Sequence, residues 1–215
     1  ATTYGINLNS NAFGARTTVI NYDAYTAWSH TWSGGNWGSP SNTYYTLVSS
    51  QVGGSGLGDG NTILNTGSIV VSNGAGIVLN ATAQGNTSSG GTASYAYARV
   101  LGNTVLNSGV IAAAYASGSN VSDGIGLYAS TTGANISGFT ASVDSNTVTN
   151  TNLIYAMRNG INLTASSSYI NVASAGVTNN TINNNYIGWD DQVNTAKGRI
   201  VANNTGINMV ATTVN

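Results

Sequence analysis

The sequence predicts an all-β fold, and within that class a right-handed parallel β-helix. Three observations predict it: composition, the lack of helical periodicity, and two short signatures that recur in step. Only 5% of the 215 residues are charged, against about 25% in an ordinary soluble domain. Glu is absent, Pro occurs once, and Gly contributes 28 residues. Val, Ile, Thr and Tyr are plentiful, and Gly and Asn punctuate them every few positions, which is a strand-and-turn pattern. No window carries a capped apolar period of 3.6 residues. The nearest, residues 110–116, is short and has a repeat counterpart that reads as strand.

The first signature is Asn-Thr-(Ile/Val)-x-Asn. It starts at Asn61, Asn103, Asn146 and Asn180, so the copies are 42, 43 and 34 residues apart. An Ile follows eight residues after the opening Asn in three copies, at Ile69, Ile111 and Ile154. The fourth copy offers Ile187, one residue early. The second signature, Gly-Ile-x-(Leu/Met), begins at Gly76, Gly124, Gly160 and Gly206, each copy following one Asn-Thr copy. A further copy at Gly5 opens the chain without a partner. A fixed order of repeated units is the mark of a repeat fold.

Each signature has a mechanical meaning. Ile-x-Leu and Thr-Val-x-Asn alternate with period two, so one face is apolar. Strands of two to five residues between Gly or Asn corners suit the stacked coils of a solenoid, with Ile and Val piled into interior columns. Asn tolerates the left-handed backbone region at a corner, and its amide both donates and accepts. Asn65, Asn107, Asn150 and Asn184 are therefore the candidate corner-ladder residues. The alternative fold is a β-sandwich, jelly-roll or pilin-like, in which the repeats are duplicated hairpins with Asn- and Gly-rich turns.

These residues resemble a known pattern. Asn-x-Ile-x-x-Asn-x-Ile followed by Gly-Ile-x-Leu is similar to the repeats of pectate-lyase-like and carbohydrate-binding β-helix surface proteins. Asn65-Thr66-Gly67-Ser68-Ile69 and Asn107-Ser108-Gly109-Val110-Ile111 resemble the Asn-Ser-Gly-x-Ile coils of autotransporter and haemagglutinin-type adhesins. The resemblance spans roughly residues 58–215 and implies a β-helix with an extracellular structural or adhesive role. Coils in those families are shorter than the 34–43 residues between copies here. One unit is then either two coils or one coil with a long loop.

Residues 1–52 read as an aromatic-rich capping or docking region, and residues 53–215 as one continuous domain of repeats. The first region holds Trp28, Trp32 and Trp37, with Tyr44 and Tyr45 nearby, and the single His30 and Pro40. Terminal units of a repeat array differ from interior ones. Tyr and Trp are also enriched at interfaces, and their rings stack on sugars, so these five aromatics are interface or glycan-binding candidates.

The same composition excludes partners. Five cations cannot neutralise a row of phosphates. Without Cys there is no disulfide framework and no thiolate metal site. No apolar run reaches the roughly 18 residues of a membrane helix. The chain opens Ala1-Thr2-Thr3 without Met, as expected of a secreted chain after signal-peptide removal. Seven Asn-x-Ser/Thr sequons fit the same compartment, at Asn80, Asn86, Asn120, Asn135, Asn162, Asn179 and Asn203.

Catalytic signals are weak, and neither a cofactor nor a metal site is expected. Gly53-Gly54-Ser55-Gly56-Leu57-Gly58-Asp59 approximates a calcium-binding nonapeptide, but the Asp is displaced and the motif stands alone. Asp190-Asp191 beside Trp189, with Lys197 and Arg199 following, could serve a polysaccharide hydrolase or lyase. Adjacent strand residues point to opposite faces, which favours a solvated loop instead. The expectation is a non-enzymatic extracellular structural protein whose partner is itself, assembled into a filament, sheath or surface layer by head-to-tail or strand-donating contacts. A net charge of −1 leaves little to oppose association. The alternative is an adhesin or receptor-binding module that takes a cell-surface polysaccharide.

Overall fold

The computed structural model describes residues 4–13, 25–34, 43–54, 59–72, 74–84, 94–113, 122–133, 138–168, 173–184 and 198–214. Among them are eighteen strands, numbered in chain order, in four sheets, and no helix. Sheet I contains, in spatial order, β1 (Tyr4–Phe13), β6 (Ala75–Gln84), β10 (Ile125–Thr132), β14 (Asn159–Ser168) and β18 (Thr205–Val214). Sheet II runs from β15 (Ala173–Thr178) through β11 (Gly138–Asp144), β7 (Ser94–Leu101) and β3 (Thr43–Gly53) to β2 (Tyr25–Gly34). Sheet III holds β16 (Thr181–Asn184), β12 (Thr147–Asn150), β8 (Thr104–Asn107) and β4 (Thr62–Asn65). Sheet IV holds β17 (Arg199–Ala202), β13 (Leu153–Ala156), β9 (Val110–Ala113) and β5 (Ser68–Val71).

Every pairing except β2 with β3 is parallel. The antiparallel sandwich therefore does not hold. The repeated signatures pair with their own copies rather than within hairpins. From β4 onward the chain visits the sheets in a constant order: III, IV, I, II. One 34–43-residue unit is thus one pass through the four sheets, with its length varied by the connections, and not two. The arrangement is compatible with a β-solenoid, and each sheet is open at both ends.

Register turns the sequence signatures into columns. Ile6, Ile77, Ile125, Ile161 and Ile207 are successive partners in sheet I, and so are Leu8, Leu79, Leu127, Leu163 and Met209. Ile63, Val105, Val148 and Ile182 align in sheet III, and Ile69, Ile111, Ile154 and Ile200 in sheet IV. Buried members from all four sheets form one cluster. Each fully buried Ile or Leu contributes about 1.5–3 kcal/mol by leaving water, so the columns carry most of the cohesion. Ile187, expected to continue the sheet IV column, lies outside the described residues. Ile200 holds that place. The long connection of the fourth repeat falls between β16 and β17, ahead of the Ile, and displaces it in sequence.

Strands of sheets I and II reach ten and eleven residues, longer than the two to five expected. After Ile-x-Leu the period-two alternation continues in small residues. Ala81, Ala129 and Ala165 are buried and face inward, with Ser10 at the head of their column. Small side chains let sheet I and sheet II approach closely, and the Ser50 hydroxyl donates to Ser10 Oγ at 2.9 Å across that gap.

The Gly of Gly-Ile-x-Leu has a steric cause. A Cβ on Gly5, Gly76, Gly124 or Gly160 would lie 2.5–2.7 Å from the carbonyl oxygen of the next glycine in the column, and would collide with Cγ2 of Ile69, Ile111, Ile154 or Ile200 respectively. Gly206 ends the column, and nothing lies within 4 Å of its would-be Cβ. Left-handed backbone occurs elsewhere than expected. Among the described residues the corner Asn of sheet III are not in that region. It is occupied by Gly102 (φ 71°), Ser145 (φ 55°) and Asn179 (φ 53°), each just before an opening Asn, and by Gly198 (φ 70°) just before β17.

In the unassociated chain, Gly124→Ala is expected to lower stability by about 1–3 kcal/mol through overpacking, and Gly206→Ala to stay within about 0.5 kcal/mol of the parent. Thermal unfolding of the two variants measures this, and equal losses would refute the column argument.

Candidate functional site

Two Asn ladders run along the corners that flank sheet III. At the corner leading to sheet IV, Asn65 Nδ2 donates to Asn107 Oδ1 at 2.7 Å, Asn107 to Asn150 at 2.8 Å, and Asn150 to Asn184 at 2.8 Å. At the corner entering sheet III, the opening Asn of each signature forms a second ladder, absent from the sequence reading. Asn61 Nδ2 donates to Asn103 Oδ1 at 3.0 Å, Asn103 to Asn146 at 2.9 Å, and Asn146 to Asn180 at 2.9 Å. Each of these Oδ1 atoms also accepts from the backbone N–H of the preceding rung, at 3.0–3.1 Å. Asn146 Nδ2 reaches the Val100 and Asp144 carbonyls as well, both at 2.9 Å. The signal was present in the sequence: Asn stands at that position in all four copies.

The other singled-out residues fall in several places. Trp28 and Trp32 lie in β2, level with Ser49 and Tyr45 of β3, and His30 is level with Leu47. Tyr44 and Tyr45 lie in β3. Trp37, Asp190, Asp191 and Lys197 lie outside the described residues, as do sequons Asn86, Asn120 and Asn135. Asn179 and Asn203 are exposed, and Asn80 is half-buried with its amide donating to Asn9 Oδ1 at 2.9 Å. Asn162 is only 4% exposed, and its Nδ2 is committed to Asp123 at 2.8 Å inside the folded chain.

That last contact belongs to the one ion pair among the described residues. Asp123, one residue before Gly124, is fully buried. Its carboxylate pairs with the Arg158 guanidinium, which reaches it from the next repeat, with Nε donating to Oδ1 at 2.8 Å. It also accepts from the Tyr128 hydroxyl, from Asn162 Nδ2, and from the Asn159 backbone N–H at 3.1 Å. Gly126 makes room for this: a Cβ there would overlap the Tyr128 ring. Nothing local in the sequence marks the pair: Arg158 stands 35 residues from Asp123, and only stacking joins them.

Electrostatics fix the roles. Burial alone would push the Asp123 carboxyl up. The hydrogen bonds from Arg158, Tyr128 and Asn162, with the Arg158 charge, outweigh it and hold the group below its usual range. Burial, then the adjacent Asp123 charge, push the Tyr128 hydroxyl well above its usual range. The hydrogen bond to Asp123 raises Arg158. At neutral pH the carboxylate is ionised and saturated with donors, and the phenol is neutral. Neither is poised to transfer a proton, so the cluster is a clasp between repeats. Among the described residues no group of three His, Cys, Asp or Glu could hold a metal ion. On the outer face of sheet II, the exposed Arg99 places its guanidinium 5.2 Å from the centre of the Tyr97 ring.

No family model, no curated protein and no solved structure matches this chain.

Two outcomes follow for the ladder and the clasp. Asn146→Ala should cost about 2–4 kcal/mol, because it strands several buried partners, whereas Asn184→Ala, at the exposed last rung, should cost under about 1 kcal/mol; urea unfolding separates them. For the clasp, the folded pKa of Asp123 lies below its ordinary 3.8. Its stabilisation is present above that pH and lost as pH falls through and below it. The folded pKa of Tyr128 lies above its ordinary 10.0, so stability also declines as pH rises past about 10. Asp123→Asn should flatten the acid limb and cost about 3 kcal/mol at pH 7. An unchanged acid limb in that variant would show that other carboxylates set it.

Proposed function

We propose that this chain is an extracellular structural protein: a right-handed parallel β-helix, with the aromatic-rich residues 1–52 as its capping or docking region, whose copies associate into a filament, sheath or surface layer. The observation that carries this reading is the edge strand β18. Ile207 and Met209 are 43% and 48% exposed, whereas their partners one strand inward, Ile161 and Leu163, are fully buried. An unpaired edge strand with apolar side chains is a template for pairing. Val210 and Val214 on the same strand are also exposed. The near absence of charge removes the usual protection against such pairing. No helix among the described residues is long and apolar enough to cross a membrane.

The 215-residue chain is expected to form species larger than a monomer whose mass grows with protein concentration and changes little with salt. Multi-angle light scattering from micromolar concentrations upward, at low and high salt, reads this directly. A concentration-independent monomer at both salts would overturn the reading.

A further inference from the structure

Sheet I and sheet II end out of step, and in opposite senses at the two ends. Each sheet II strand packs against the sheet I strand of its own repeat and that of the next: β7 on β6 and β10, β11 on β10 and β14, β15 on β14 and β18. β3 likewise packs on β1 and β6, and β2 on β1. Sheet II strands therefore sit between sheet I strands, and sheet I extends half a strand spacing beyond sheet II at the β18 end. Sheet II extends half a spacing beyond sheet I at the other end, through β2. One step is the complement of the other.

We propose that a second copy of this chain docks on the β18 end in a single register, with its β1 beside β18 and its β2 beside β15. This rests on the self-association proposed above and specifies its contact. One translation satisfies both sheets at once, because β18 and β15 are offset by half a strand spacing and so, in the same sense, are β1 and β2. Columns then continue across the junction. The chain of partners in sheet I places Ile6 of the second copy after Ile207, Leu8 after Met209 and Asn11 after Thr212. In sheet II, Trp28 of the second copy comes level with Ser174. β1 and β18 are each ten residues long. None of the four strands contains Asp, Glu, Lys or Arg, so the contact buries no charge and opposes no like charges.

β18 offers ten residues, about 33 Å, and β15 six residues, about 20 Å. With each sheet about 10 Å deep the end face is roughly 530 Å². Two such faces bury about 1,060 Å² in all, which just clears the roughly 1,000 Å² of a specific interface and sits at its weak, reversible end. Sheets III and IV, which begin at β4 and β5, do not meet across the junction, and a one-strand gap is left in each. The contact is heterologous, so it propagates.

Cysteine pairs test the register, since the chain has no Cys of its own. Asn11 and Thr212 are both exposed, and adjacent strands bring equivalent positions within disulfide range. Under mild oxidation, Asn11→Cys/Thr212→Cys is expected to give a ladder of disulfide-linked multimers on non-reducing gels. Asn7→Cys/Thr212→Cys, about 13 Å out of register, is expected to give none. Asn9→Cys/Val210→Cys supplies a second in-register pair should the first fail to fold. Association by light scattering without in-register cross-linking would overturn this register and leave self-assembly standing. Dimers from Thr212→Cys alone would show an isologous contact and also overturn it. No association at all would overturn both.

Discussion

In a parallel, in-register stack, the nearest neighbours of a side chain on its own face are its equivalents one repeat before and one repeat after, about 4.8 Å away. A residue type is stable there only if it tolerates copies of itself at that distance. Aliphatic side chains do, by packing, and so do Asn amides, because each carries a donor and an acceptor and can bond along the column. Like charges do not. At an effective dielectric constant between about 20 and 80, two unit charges 4.8 Å apart repel by roughly 1–3.5 kcal/mol, comparable with what one buried Ile contributes. The composition follows from this constraint: hydrophobic residues at 41%, charged residues at 5%, and columns of Ile, Leu, Val, Ala and Asn.

Asp123 shows how a charge is admitted. Its place in the column is flanked by Ala75 and Asn159, each one residue before a glycine of the Gly column, so no like charge adjoins it. Its counter-charge comes from Arg158 of the following repeat, and Tyr128 and Asn162 supply the remaining donors. Breaking the repeat at this position ties two repeats together by side chains that are not copies of one another. The Ser10–Ser50 and Thr131–Ser167 hydroxyl pairs apply the same satisfaction rule to neutral groups within the core.

The repeat architecture was legible in the sequence because the constraint acts at every rung and writes itself as identity at fixed positions. The four Asn-Thr copies and five Gly-Ile copies became sheets III and I. Strand length was less legible, since the Ala, Ser and Thr tails of sheet I alternate without large residues to mark the apolar face. Ile200 was missed because a connection of different length precedes it, which defeats counting from the opening Asn. The Asp123 clasp could not be read at all: nothing local joins residues 35 apart until the stack forms. Of the corner residues, those ending the sheet III strands were singled out. The opening Asn were quoted in the signature, but the residue just before them, left-handed in three of the four copies, is Gly, Ser or Asn in turn and leaves no common mark in the sequence.

The glycine column also has a direction. The space that a Cβ would need at each glycine is taken by the Ile of the repeat that follows, never by the one that precedes. Each repeat therefore constrains its predecessor, and the last one described is released from that demand. A gene duplication that extended the array past Gly206 would bring in an Ile above it and change that glycine from optional to obligatory. Point mutations fixed at Gly206 while it stood last would then block such an extension. In this sense the permitted history of the array, and not only its present stability, is recorded in a missing methyl group.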